Sequence, residues 1–276
     1  METIITFYWP NIIAGILLVF TLGLFGRHLV GRNQSMEIML LGQEFKTSIL
    51  IASILATIIE SGEHTEHSIH LETIVALLCV AFFHFCYYRL IKKRAYKIEG
   101  AIVFITILIA LDHLIVLFSP LVEFHMIKSA LGDIVTVSKV ESFFVIVSTI
   151  LIALFYNFRK KEFNKDTLEI ALFNKRTKKS NDYYFFNLSV MFLMLVSIHL
   201  FGTIFTVGAL IIPALITSYF NLSTQKFNAL NCLNSLMVIV SFMILTLHDR
   251  LPSTVIIIIL ITITSIAYSF MRSQRK

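Results

Sequence analysis

The sequence predicts an all-α, polytopic membrane protein: a helical bundle of eight or nine transmembrane spans with discontinuous helices. Three observations lead there. The 276 residues are 57% apolar and only 14% charged, against roughly 25% charge in a soluble domain. Apolar runs of about 20 residues, the length that crosses a bilayer, recur from end to end. One of them, residues 199–217, carries Gly202, Gly208 and Pro213 in its interior. Those residue types break or weaken helices and do not suit a plain lipid-facing rod.

The spans read at about 10–30, 38–59, 72–90, 99–118, 142–158, 184–200, 203–220, 229–247 and 253–270. Residues 121–139 form a short apolar piece with Lys128 and Asp133, read as a re-entrant or discontinuous helix. No fixed-period repeat and no long linker divides the chain, so residues 1–276 read as one transmembrane domain. In the second span Ser48, Ala52 and Ala56 recur at four-residue spacing, a register that lets helices approach closely in lipid.

The net charge of +6 sorts to one side of the membrane and is no sign of nucleic-acid binding. Arg27 and Arg32, then Arg89 to Lys97, then Arg159 to Lys179, then Arg272 to Lys276 fall on alternate loops. Those loops should face the cytoplasm, with the N-terminus outside and the C-terminus inside. The loop Glu60–Glu72 has no Lys or Arg and should face outward. The start of the chain lacks the basic n-region and cleavage site of a removable leader, so the first span is expected to be retained. Cys79, Cys86 and Cys232 lie in apolar spans without metal-ligand spacing, and Cys79 and Cys86 share a helix face by register.

Within 199–217, breaks in hydrocarbon need neighbouring protein or a wet cavity to satisfy the freed backbone groups. This segment should therefore lie inside the bundle beside a passage, with Gly202, Gly208 and Pro213 as points where it bends.

Two groups are candidates for metal. Glu60, Glu63, His64, Glu66, His67, His70 and Glu72 combine imidazoles and carboxylates; if helical, Glu63, His67 and His70 share a face. The alternative is a solvated acidic loop that coordinates nothing. Asp112 and His113 lie inside the fourth span, where ionisable residues are rare and mark pathways by default. A place at the outer interface is their alternative reading. His84 and His199 read as histidines that find an ordinary hydrogen-bond partner. Asp133 reads as a helix cap, and Glu123 and His125 are expected close to the outer mouth.

The cytoplasmic stretch 159–182 holds eight basic and four acidic residues, which sets topology and meets anionic lipid. Phe163, Leu168, Ile170, Ala171, Leu172 and Phe173 give it an amphipathic pattern suited to a short helix that docks on a partner. No Gly-x(4)-Gly-Lys-Ser/Thr pattern occurs, so the chain itself has no P-loop for ATP.

Five stretches resemble the bacterial metal-ion ABC-transporter permeases of the ZnuB and MntB type. They are Ala14-Gly15-Ile16 with Gly23-Leu-Phe-Gly26; Leu131-Gly132-Asp133 through Ser138; Phe163 through Ala171; Gly202-x(5)-Gly208-Ala-Leu-Ile-Ile-Pro213-Ala; and Asp249-Arg-Leu-Pro252-Ser253. The set runs in the family's order over nearly the whole chain. The resemblance implies a single permease domain, 1–276, in the bacterial inner membrane. It implies transport of a divalent metal ion, zinc or manganese, with no covalent cofactor and with ATP held only by a partner. The implied partners are an ABC ATPase, an extracytoplasmic solute-binding protein and a second permease copy (a homodimer). It places Phe163, Asp166, Leu168 and Ala171 against the ATPase.

One departure is informative. The family's second span carries Gly-Asp-x-x-x-His, whose Asp and His are implied metal ligands. Here the segment is Gly42-Gln43-Glu44-Phe45-Lys46-Thr47, with Gln43 and Thr47 in those places. Glu44 is one residue off, about 100° around the helix. Asp112 and His113 are the candidates to supply what is missing. Two other readings stand beside the importer: a stand-alone carrier or pore relaying ions through Asp112 and His113, and a degenerate permease relative with a structural or regulatory role.

Overall fold

The computed structural model of the protein describes residues 2–60, 67–89, 97–118, 130–132, 137–173, 181–245 and 252–273. Among them are nine α-helices and no strand. They are α1 (Glu2–Gly31), α2 (Ser35–Glu60), α3 (His67–Tyr87), α4 (Lys97–Phe118), α5 (Lys139–Phe173), α6 (Asn181–Phe201), α7 (Thr203–Tyr219), α8 (Thr224–Leu245) and α9 (Ser253–Ser273). Seven are long and apolar enough to cross a bilayer, and α3 and α7 carry shorter apolar stretches. An all-helical bundle is what hydrocarbon demands, because each helix satisfies its own backbone groups.

The chain divides into two compact units, Met1–Ser35 with Asp133–Lys276, and Met36–Gly132. In the larger unit α1 is the central element, packing on α5, α7 and α8, while α9 covers α7 and α8. Small residues permit this. A side chain on Gly26 would overlap the Leu210 carbonyl oxygen of α7, and one on Gly23 would overlap the Asn231 side chain of α8. Polar side chains join the helices internally, as expected where water cannot compete. Asn231 Nδ2 donates to the Phe20 carbonyl (2.7 Å). Asn234 takes the Thr264 hydroxyl (2.7 Å) and donates to Ser265 (3.1 Å).

The helix α5 differs from the expectation of a span at 142–158 followed by a separate short helix. It runs unbroken for 35 residues, about 52 Å at 1.5 Å per residue, well beyond a hydrocarbon core of about 30 Å. The physical reason is that 139–173 contains no Gly or Pro. Charge ends the apolar run, but the charged residues are themselves good helix formers. At its start Ser138 and Glu141 cap each other's backbone N–H groups (Ser138 N to Glu141 Oε2 2.8 Å, Glu141 N to Ser138 Oγ 3.3 Å), a reciprocal capping box. Asn11 of α1 holds this end, donating to the Val137 carbonyl (2.9 Å) and accepting from Ser142 Oγ (2.8 Å).

The smaller unit holds α3 and α4 with nearly all of α2. Leu40, Tyr87, Ala101, Phe104 and Leu108 form one apolar cluster, and Leu50 with Ile115 a second. Ser48 and Ala52 are fully buried, as their spacing predicts; Ala56 has its side chain outside the described residues. Large apolar side chains such as Leu78, Phe82, Ile107 and Leu117 are exposed, which suits a lipid-facing surface. The three cysteines are free.

Candidate functional site

The middle of α2 carries an unusual density of polar groups for a membrane span. Asp112 of α4 is fully buried, and its Oδ2 receives both Gln43 Nε2 (2.6 Å) and the Lys46 ammonium (3.0 Å). Lys46 is 13% exposed. Glu44 is also fully buried, hydrogen-bonded through Oε2 to His84 Nδ1 of α3 at 3.2 Å. α2 is thus tied to α4 by residues 43 and 46 and to α3 by residue 44. The register explains this: Gln43 and Lys46 are three apart on one face, and Glu44 is rotated toward the neighbouring helix.

Isolated charges at this depth cost far more than paired ones, and removing one partner of a buried pair costs about 3–5 kcal/mol. Several oxygens remain without a hydrogen-bond partner among the described residues: Asp112 Oδ1, Glu44 Oε1, Thr47 Oγ1 and Ser48 Oγ. These belong to α2 and α4: two carboxylate oxygens that accept and two hydroxyls that donate or accept, none of them used by the described residues.

His113 is exposed while Asp112 is buried. Adjacent residues on a helix point about 100° apart, so the two do not converge on one ligand. Among the described residues no group of three or more His, Cys, Asp or Glu side chains could hold a metal ion. Of the outer loop candidates, Glu63 and His64 lie outside the described residues; His67 and His70 lie on α3, and their side chains are outside them too. Glu123, His125 and Asp133 are also outside.

In the larger unit α7 lies inside the bundle, against α1, α6, α8 and α9. The chain breaks between α6 and α7 at a single residue. Gly202 has φ 81° and ψ 165°, a region open to glycine and strained for other residues. Its carbonyl accepts from Thr206 N (3.2 Å) and Thr206 Oγ1 (2.8 Å), and Thr206 also bonds Ser197 (2.6 Å). Gly208 is a packing position: a Cβ there would come within 2.8 Å of Ile258 of α9. Pro213 sits within the helix, its carbonyl accepting from Thr217 Oγ1 (2.8 Å). Beside Thr217 a cavity of about 330 Å³ is lined by Arg27, Ser218, Asn221 and Phe227.

The far end of α5 is locked to α1. Thr167 Oγ1 donates to the Phe163 carbonyl (2.8 Å) and lies 2.9 Å from His28 Nδ1 and 3.1 Å from Arg32 Nε. Tyr156 OH lies 2.9 Å from His28 Nε2. One hydrogen assignment satisfies this whole set: His28 donates from Nδ1 to Thr167 and accepts from Tyr156 at Nε2. Arg32 stacks over Phe186 at 4.0 Å, adding a cation–π contact. Phe163 is fully buried, with the Phe186 ring centroid 5.3 Å away. Asp166 is half-buried, Ala171 is exposed, and Leu168 and Leu172 are 61% and 74% exposed. Phe163 therefore anchors the segment while Leu168 and Leu172, one turn apart, face outward.

Lys46, His28 and Thr167 are not singled out by the sequence; Glu44 reads only as one place off the family's ligand position, and Arg32 only as a topology charge. The signal for the first was present: Lys46 and Asp112 are opposite charges inside apolar spans, and each needs a partner at that depth.

No family model and no curated protein matches the sequence. Among solved structures the chain is similar to PsaBC from Streptococcus pneumoniae in complex with Fab, with a TM-score of 0.71 and 15% sequence identity over 95% of this chain and 89% of that one. At that identity the likeness is one of fold.

Proposed function

We propose that this chain is the membrane-spanning permease subunit of a bacterial ABC importer for a divalent metal ion of the zinc or manganese class. The observation that carries the reading is the fold shared with PsaBC over 95% of the chain, beside the five sequence stretches that resemble metal-ion ABC permeases. The glycine break ahead of the buried α7 and the long cytoplasmic end of α5 support it. A separate ABC ATPase supplies energy, a solute-binding protein delivers cargo outside, and a second copy of the chain completes the passage in the inner membrane.

We read the contacts as a mechanical route. Nucleotide-driven closure of the ATPase bears on the exposed Leu168 and Leu172 turn of α5. The Thr167–His28 bond carries that motion into α1, while Phe163 ties α5 to Phe186 of α6; α1 passes it to α7 through the close contact of Gly26 with Leu210. α7 turns about the joint at Gly202. Packed helices move as rigid bodies between discrete arrangements, so a glycine joint with rigid segments on both sides is the needed hardware.

The test is co-purification of the chain with a co-expressed ABC ATPase from the same source. Wild type retains the ATPase and stimulates its hydrolysis; Leu168→Asp with Leu172→Asp loses it while the chain stays monodisperse. Equal retention by the double variant overturns the assignment of this surface.

A further inference from the structure

We infer that Lys46 is the resident cation of the Asp112 site, and that a divalent cation reaches Asp112 only by displacing it. The choice of a divalent cation rests on the importer reading; the occupancy of Asp112 by Lys46 does not.

The ammonium and Asp112 already cancel in charge, since Lys46 Nζ lies 3.0 Å from Oδ2 and the carboxylate is fully buried. Gln43 takes the same oxygen at 2.6 Å. A hard divalent cation binds through several oxygens, at least one or two of them carboxylates. A fixed ammonium beside the carboxylate opposes it by like-charge repulsion and takes a coordination position. Lys46 therefore does at Asp112 what a bound metal ion would do: it neutralises the charge and satisfies the oxygen.

The same residues show how the site is vacated and refilled. Lys46 ends in a compact ammonium on a flexible four-carbon stem, and its side chain keeps 13% exposure. It can leave without moving α2. With it gone, Asp112 offers Oδ2 and the unpartnered Oδ1. Gln43 can present its amide oxygen by turning about its last torsion. Thr47, on the face of α2 that carries Gln43, has a buried hydroxyl with no partner among the described residues. Gln43 and Thr47 are neutral oxygen donors in the places where the resembling permeases carry Asp and His. The result is a site with one carboxylate and a tethered competitor, which holds a divalent ion weakly.

The experiment uses the purified full-length chain in lipid nanodiscs, with manganese ion alone as the probe and the loss of its free electron-paramagnetic-resonance signal as the readout. No ATP or ATPase is present. Removing the competitor by Lys46→Met should tighten manganese binding by about tenfold or more, given the cost of an unpaired buried carboxylate. The gain should vanish in Lys46→Met with Asp112→Asn. Lys46→Gln, which removes the charge but keeps a donor toward Asp112, tightens binding by less than Lys46→Met and serves where the methionine variant does not fold. The inference is overturned if neither neutral variant binds more tightly than wild type, or if the gain survives loss of the Asp112 carboxylate. Failure of ATP-driven uptake would overturn the importer reading and leave this binding result as it stands.

Discussion

Gly26 of α1 and Leu210 of α7 meet backbone to backbone, with no room for a methyl group between them. The obstacle is a carbonyl, which cannot rotate aside. Gly26→Ala should therefore separate α1 from α7, at about 1–3 kcal/mol for an overpacked core. Gly23→Ala meets the Asn231 side chain instead, which can swing aside by giving up its bond to the Phe20 carbonyl, and should cost less than the backbone clash. Thermal unfolding in detergent, followed by tryptophan fluorescence or light scattering, ranks the two. Equal midpoints would contradict the close contact.

Gly202 sits where residues with a Cβ are strained. Gly202→Ala should cost about 1–3 kcal/mol of backbone strain and reduce transport beyond what lost protein explains. Uptake normalised to the folded fraction checks this; unaltered normalised uptake would remove Gly202 as the joint.

Thr167 is the oxygen on which His28 and Arg32 converge. Thr167→Val keeps the shape and deletes that oxygen, leaving buried donors less well satisfied at about 1–3 kcal/mol. The expected phenotype is specific: the ATPase still binds, since Leu168 and Leu172 are untouched, but hydrolysis no longer drives uptake. Loss of ATPase binding in this variant would mean that Thr167 shapes the docking surface itself.

Lys46 and Asp112 should show strong coupling in a double-mutant cycle. Asp112→Asn or Lys46→Met alone strands a partner charge in the membrane and should cost about 3–5 kcal/mol. The double variant strands none and should recover much of that loss. Additive losses across the cycle would contradict the ion pair.

Much of the fold is legible in the sequence because hydrocarbon leaves few options: an apolar run long enough to span is a helix. The interruption at Gly202 is legible for the same reason, since glycine there serves no lipid-facing purpose. What the sequence hides is partnership. Asp112 invites pairing with its neighbour His113, yet helical rotation turns them apart, and the true partners lie on α2. Gln43 looks like a mere departure from a family pattern, and Lys46 like a residue at one of its free positions, until α4 is seen beside them. The length of α5 is hidden differently: hydropathy marks where a helix leaves the membrane, while the helix continues through Phe163 and Thr167 for want of any residue that would stop it.

The most direct measurement of the central claim is metal accumulation in proteoliposomes holding the chain together with its ATPase, with solute-binding protein and manganese or zinc outside. The account predicts accumulation that needs both ATP and the ATPase, and that falls in Gly202→Ala. Metal passing through the chain alone at the same rate, or ATP hydrolysis with no metal moved, would contradict it.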